Sequence, residues 1–314
     1  MPAFFDRDAV DRALPYPSLI EALREVFAAG IEAPVRHHHE IPRGGAEPAT
    51  LLLMPAWRPD REIGVKLVTV FPDNERVTGR SSVQAVYLLF DGRSGEPRAL
   101  MDGTALTLRR TAAASALAAR FLAREDASSL LVIGAGALAP HLVRAHAAVR
   151  PLRRITVWNR TAERARELAA TLAGEGFEAR AVEDRLAAIE EADIVSCATM
   201  SRTPLVPGER VRPGTHVDLV GAFRPDMRES DDALLRRAAV YLDTMAGALA
   251  EAGDILLAIA SGALSRERIR GDLYGLCQGR VPGRRDAREI TVFKSVGSAI
   301  EDLAAAALVA ARLG

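Results

Sequence analysis

The sequence predicts an α/β protein of two domains, one a doubly wound parallel sheet with helices on both faces, the other an α+β domain on an antiparallel sheet. Three observations carry that prediction. From Leu130 onward, short apolar runs alternate with helical stretches. The first hundred residues instead carry strand-like runs joined by turns. The chain has 314 residues, 49% of them hydrophobic, which is long for one core when a domain takes about 150 residues.

In chain order, "REIGVKLVTVFPDN" and "SSVQAVYLLFDGRSGEPRALMDG" read as strands, with "DGRSGE" as a hairpin loop. The stretch "TLRRTAAASALAARFLA" reads as a helix leading into the second pattern. There "LLVIGAGALAPHLVRAHAAV" is an apolar run, a glycine turn and a helix, and "RITVWNRTAERARELAATLA" repeats strand then helix. "ADIVSCAT", "THVDLVGA" and "VYLDT" follow as buried strands, and the block ends near Ile290. The alanine-rich "VGSAIEDLAAAALVAARL" is expected to return and pack on the first domain. Neither an internal repeat nor a low-complexity tract interrupts this order.

Lys plus Arg equals Asp plus Glu at 41 each, so the charge balance favours neither nucleic acid nor a membrane surface, and a small-molecule partner is expected. Cys197 and Cys277 have no metal-binding or redox spacing, which fits packing residues in a reducing cytoplasm. No apolar stretch reaches the ~18 residues of a membrane helix.

"GAGALA" sets Gly134 and Gly136 directly after a strand, with Ala139 where the third small residue of a Rossmann-type turn belongs. Small residues let backbone approach a pyrophosphate, and the helix that follows offers N–H groups to the anion. The next strand ends at Asn159-Arg160-Thr161, where an NAD enzyme usually carries an acid for the ribose hydroxyls. Arg160 would repel no 2′-phosphate and can grip one, which points to NADPH, with NADH possible. The alternative is a solvated Arg160 and a Thr161 that caps the next helix. The residues assigned to the cofactor are Gly134, Gly136, Ala137, Leu138, Asn159, Arg160, Thr161, Arg164, Thr199, Val220 and Lys294.

Eight ordered segments resemble the ornithine cyclodeaminase and mu-crystallin family: "PVRHHHEIP", "LLLMPAW", "GVKLVTVFPDN", "ALMDGTALTLRRTAAASALAA", "VIGAGALA", "VWNRTAER", "GAFRPDMRESDD" and "EITVFKSVGSAIED". The resemblance implies a homodimer formed through the N-terminal domain and the returning helix. It also implies an active site between the domains that binds small α-amino or α-imino acids. Residues 1–121 and 293–314 would form the substrate-binding and dimerisation domain, and 122–292 the Rossmann domain. By resemblance Arg36, Lys66 and Arg110 form a clamp for the substrate carboxylate, and Lys66 can also pass a proton. Arg109 beside Arg110 makes that assignment depend on register. His37, His38 and His39 alternate sides on an extended segment, so no metal site is expected.

One position departs from the family. Ornithine cyclodeaminases and related alanine dehydrogenases carry an aspartate two residues after the glycine of "VGAFRPDMRE", where this chain has Phe223. A phenyl ring exchanges no protons, which disfavours deamination and reductive amination with free ammonia. The "RPDMRE" pattern resembles Δ1-pyrroline-2-carboxylate and ketimine reductases. Asp226 is then either catalytic or the cap of a helix starting near Met227, and Glu251 is a second candidate proton donor. The expected activity is NADPH-dependent reduction of Δ1-pyrroline-2-carboxylate to L-proline, with Δ1-piperideine-2-carboxylate to L-pipecolate alongside. The alternatives are an ornithine cyclodeaminase or amino-acid dehydrogenase, and a non-catalytic NADPH-dependent binding protein.

Overall fold

The computed structural model describes residues 2–31 and 33–314. The chain divides into two compact units, Met1–Thr111 with Ser298–Gly314, and Ala112–Gly297.

The first unit is built on a six-stranded sheet. Its strands are β1 (Ala3–Phe5), β2 (His37–Ile41), β3 (Ala49–Arg58), β4 (Glu62–Val70), β5 (Val83–Asp91) and β6 (Pro97–Asp102), in the order β1-β6-β5-β4-β3-β2. Every neighbouring pair is antiparallel except β1 with β6, so the sheet is mixed at one edge. Between β5 and β6 the expected hairpin loop forms, with the Asp91 carboxylate accepting from Arg93 N at 2.9 Å and Ser94 N at 3.0 Å, and Gly95 at φ 72°. In β4, Gly64, Lys66 and Val68 are buried while Ile63, Val65 and Leu67 between them are more accessible, as the two-residue period of a strand requires. Helix Ala299–Leu313 packs against β3, β4 and β5 and against helix Tyr16–Ala28, and Ser298 caps it through Ile300 N. The returning C-terminal helix expected from sequence is therefore part of this unit.

The second unit carries an eight-stranded sheet whose paired strands are all parallel. The strands are β7 (Ser129–Ile133), β8 (Arg154–Trp158), β9 (Glu178–Ala181), β10 (Ile194–Cys197), β11 (His216–Leu219), β12 (Ala239–Leu242), β13 (Ile269–Asp272) and β14 (Thr291–Lys294), in the order β13-β12-β14-β11-β10-β7-β8-β9. Alternate residues of β7 enter two different cores. Leu131 and Ile133 join Val195 and Val217, whereas Leu130 and Val132 join Ile155 and Val157. That is the signature of a sheet covered on both faces.

The unit boundaries differ from those expected at 121 and 293. Strand β14 lies between β11 and β12, so Phe293 and Lys294 belong to the parallel sheet. Helix Gly103–Leu122 is shared, because Ala119 near its end enters the core of Leu130 and Val132. Among the described residues, no helix is long and apolar enough to cross a membrane.

Candidate functional site

In the first unit, three elements bring four charged side chains together in the interior. Strand β4 turns Lys66 inward, and successive residues of helix Gly103–Leu122 diverge by about 100°. Arg110 therefore points to the same interior while Arg109 turns away to Asp11 at 2.7 Å, with its guanidinium over the Tyr16 ring. The first turn of helix Ala299–Leu313 supplies Glu301 and Asp302. Asp302 Oδ1 accepts from Lys66 Nζ at 2.9 Å and from Arg110 Nε at 2.8 Å, and its Oδ2 lies 2.7 Å from Lys66 Nζ. A second Arg110 nitrogen donates to Glu301 Oε2 at 2.7 Å. Lys66 and Arg110 are 2% and 4% exposed, so water screens neither charge effectively.

Burial pushes the Lys66 ammonium down to about 7, and the charges of Arg110 and Arg36 push the same way while Asp302 resists. Burial also works against the Arg110 charge, but Asp302 and Glu301 outweigh it and raise its proton affinity. Arg36, half-buried just ahead of β2, is thus electrostatically part of the group, and all three predicted clamp residues share one unit. Tyr87 faces Lys66 in the β4–β5 register. Among the described residues its buried hydroxyl has no hydrogen-bond partner, and burial with the Asp302 and Glu62 charges keeps it neutral. Gly64 makes room for it, since a Cβ there would collide with the phenol oxygen.

In the second unit the remaining candidates gather at the C-terminal ends of the parallel strands, where open α/β sheets bind ligands. Gly134 follows β7 at φ 108°, and a Cβ there would meet the Ala198 carbonyl at 2.6 Å. Gly136 has open space on its Cβ side, and both it and Ala137 are exposed. Leu138 precedes helix Ala139–Ala147 with no side-chain cap on the first turn. A small-residue turn feeding an uncapped helix start fits a dinucleotide pyrophosphate. Asn159 ties this turn to the end of β8, accepting from Ala135 N at 3.2 Å and donating to Thr161 O at 2.9 Å. Arg160, Thr161 and Arg164 are exposed, and among the described residues neither arginine pairs with a carboxylate. Thr161 occupies the N-cap position of helix Ala162–Gly174, with no capping hydrogen bond from its side chain.

Thr199, Val220 and Lys294 lie at the ends of β10, β11 and β14. Thr199 donates to Glu229 Oε1 through N at 2.7 Å and Oγ1 at 2.8 Å, and Val220 N bonds Cys197 O at 2.8 Å. Lys294 is fully buried, donates to the Gly221 carbonyl and lies 3.6 Å from Asp254. Its ammonium is therefore an internal tie for the loop after β11. Asp254 Oδ1 accepts from Glu229 N, Ser230 N and Ser230 Oγ at 3.0, 2.8 and 2.8 Å. Burial pushes the Glu229 carboxyl up to about 7, against the pull of Lys294.

The helix expected at Met227 is absent. Asp226 is exposed in a turn and pairs with Arg202 at 3.1 Å and Arg224 at 3.2 Å, while Asp231 caps the helix that begins at Asp232. Glu251 ends helix Met245–Glu251, half-buried. Phe223 is 40% exposed and follows Ala222, whose φ of 46° is a strained left-handed conformation for a residue with a Cβ. His37, His38 and His39 occupy β2 opposite Leu53, Leu52 and Leu51, with alternating side chains. Among the described residues, no three His, Cys, Asp or Glu side chains gather as metal ligands. Sequence reasoning missed Glu301, Asp302 and Glu229. The first two were signalled by adjacent acids at the start of an otherwise apolar helix.

The sequence pattern of the ornithine cyclodeaminase/mu-crystallin family matches residues 11–313. A Δ1-pyrroline-2-carboxylate reductase from Paracoccus denitrificans is 43% identical over 284 residues, covering 88% of this chain and 90% of its own. The Thermococcus litoralis Δ1-pyrroline-2-carboxylate reductase, solved with NADH and L-proline, superposes with a TM-score of 0.93 at 33% identity, covering 99% of this chain and 97% of that one. An archaeal alanine dehydrogenase dimer with bound NAD gives 0.91 at 27% identity over 99% and 95% of the two chains.

Proposed function

This chain belongs to the ornithine cyclodeaminase/mu-crystallin family, and from that premise we propose that it reduces Δ1-pyrroline-2-carboxylate to L-proline with NADPH. The observation that carries the reading is the buried group of Lys66 and Arg110, joined electrostatically by Arg36 and built from residues of one unit. Its relatives include reductases of this imine, one of them solved with L-proline and NADH. Arg110 and Arg36 receive the substrate carboxylate, since planar guanidinium groups match its geometry. Lys66 gives a proton to the ring nitrogen, a role its lowered proton affinity suits near neutral pH. When bound, the reduced nicotinamide supplies the hydride that the C=N carbon accepts. The chain's part is to fix the carboxylate, hold the ring and move the proton.

Phe223 stands where cyclodeaminases carry their aspartate, so a preformed imine suits this chain better than an amino acid that must first be oxidised. Asp226 and Glu251 are secondary candidates, and the exposure and ion pairs of Asp226 favour a structural role for it. The six-membered Δ1-piperideine-2-carboxylate is a second substrate, because one methylene changes binding by only ~1–3 kcal/mol in an apolar pocket. NADPH is preferred over NADH because Arg160 and Arg164 are exposed beside the β8 end, without acidic partners among the described residues. The enzyme is a homodimer: Trp57 and Ile63, cross-strand neighbours, and Val86 leave apolar side chains exposed on the first unit's sheet. A second copy of the chain covers that surface, in line with the dimeric alanine dehydrogenase.

The test follows NADPH absorbance with Δ1-pyrroline-2-carboxylate, with L-ornithine, NAD and an ammonia assay in parallel. NADPH oxidation with proline formed and no ammonia from ornithine is expected. Ammonia release without imine reduction would overturn the reading.

A further inference from the structure

Only two of the 41 basic residues in this chain are lysine, Lys66 and Lys294, and both are buried. Every other position that needs a cation uses arginine. A buried arginine keeps its proton at any working pH, whereas a buried lysine can release one. At position 66 the chain therefore keeps a basic side chain able to act as an acid, next to an arginine that cannot.

The two cations are not held independently. Lys66 Nζ and Arg110 Nε converge on a single oxygen, Asp302 Oδ1, at 2.9 and 2.8 Å. Asp302 has no solvent exposure, so water cannot substitute for that oxygen. Glu301 holds the far side of the Arg110 guanidinium. The carboxylate thus fixes the spacing between a group that grips a substrate carboxylate and a group that protonates the nitrogen one bond away from the carbon bearing it.

We propose that Asp302 is a positioning residue for imine reduction, fixing Lys66 and Arg110 at the separation that matches the imine nitrogen and the carboxylate of one cyclic α-imino acid. This rests on the reaction proposed above. In the step itself, an N–H bond of the Lys66 ammonium breaks as one forms at the ring nitrogen, and hydride from the reduced nicotinamide forms the new C–H bond. The C=N bond becomes C–N, the nicotinamide is oxidised, and the neutral Lys66 amine is reprotonated from solvent. Asp302 is unchanged throughout.

The charges acting on Lys66 come from three other elements: Asp302 on the C-terminal helix, Arg110 on the long helix and Arg36 ahead of β2; Glu301 acts through Arg110, and Glu62, on the same strand, acts on neutral Tyr87, the cross-strand partner of Lys66. Of these, Asp302 bonds the ammonium directly and works against its deprotonation. Removing that charge in Asp302→Asn should lower the Lys66 titration midpoint by about one to three pH units.

Two lysines make a direct measurement available. Protein labelled with [ε-13C]lysine gives two resonances, assigned by Lys66→Arg and Lys294→Arg and titrated in wild type, Asp302→Asn and Asp302→Glu. In wild type the Lys66 midpoint is expected near 7. In Asp302→Asn it moves to lower pH, the alkaline limb of kcat/KM moves with it, and KM for the imine rises. Asp302→Glu keeps the charge but displaces the oxygen, so the midpoint stays near wild type while kcat falls at least tenfold. If Asp302→Asn does not fold, the Asp302→Glu result decides, and wild-type kcat there overturns the proposal. An unmoved Lys66 resonance in folded Asp302→Asn, with imine turnover intact, overturns Asp302's role alone. Absence of imine turnover in the wild-type protein overturns the reaction and this role with it.

Discussion

The chain's two lysines occupy opposite situations, one in each unit. Lys294 ends a central strand of the parallel sheet with no exposure, and its ammonium is spent on the Gly221 carbonyl with Asp254 nearby. Lys66 also ends in a buried ion pair, but it shares its carboxylate with Arg110 and feels the charge of Arg36 as well. A lysine satisfied by a backbone carbonyl holds a loop in place. A lysine that is buried and crowded by two arginines releases its proton more readily, which is what the proposed proton transfer requires. Both lysines are buried, so what separates the proposed catalytic lysine from the structural one is the set of charges around it.

The largest effects should separate the two. Lys66→Met should lower kcat/KM for the imine by about 10²–10⁴-fold, the usual contribution of a positioned acid, with NADPH binding retained. Comparable turnover in that variant would make Lys66 as structural as Lys294. Arg110→Met should cost ~2–5 kcal/mol in kcat/KM, because the substrate carboxylate is left unpaired in a buried site. Lys294→Met should act on stability instead, removing about 3–5 kcal/mol by stranding Asp254, and thermal unfolding reads it directly. A smaller and more selective effect is expected at the exposed turn after β8. Arg160→Ala should weaken NADPH about tenfold to a hundredfold and leave NADH nearly untouched. An equal loss for both cofactors would place Arg160 outside 2′-phosphate recognition.

The smallest effect is on pH dependence, where the two clusters again differ in sign. In the proposed reaction Lys66 is an acid only while protonated, so kcat/KM should be full below about 7 and fall as pH rises through it. Its folded value lies below the ordinary 10.5, so its contribution to stability is present above 10.5 and lost as pH falls to about 7. Glu229 is raised from the ordinary 4.5 to about 7, so its contribution is present below 4.5 and lost as pH rises to about 7. Denaturant titrations across pH 4–11 on wild type and Glu229→Gln separate these windows.

Much of this was legible in the sequence because the signals are local. The alternation of apolar runs and helices from Leu130, and the turn at Gly134 and Gly136, need only neighbouring residues to be read. Resemblance pointed to Lys66 and Arg110, and the structure turns Arg110 toward Asp302 and Arg109 toward Asp11 on different faces of one helix. What escaped depends on distant pairing. Strand β14 enters the sheet between β11 and β12, and nothing in "TVFK" announces that insertion. Glu301 and Asp302 lie about 190 residues from Arg110, and only folding shows that they face it. Asp226 misled because an Asp before a polar run resembles a cap, whereas Asp231 makes the bond to Leu234 N at 2.9 Å.

The most direct measurement uses reduced cofactor carrying deuterium at the transferable nicotinamide position, mixed with Δ1-pyrroline-2-carboxylate and the purified protein. The expected product is L-proline with one deuterium at C2, formed in step with cofactor oxidation. Cofactor oxidation without C2-labelled proline, or no reaction with this imine at all, would contradict the assignment of the Lys66–Arg110 site to cyclic imine reduction.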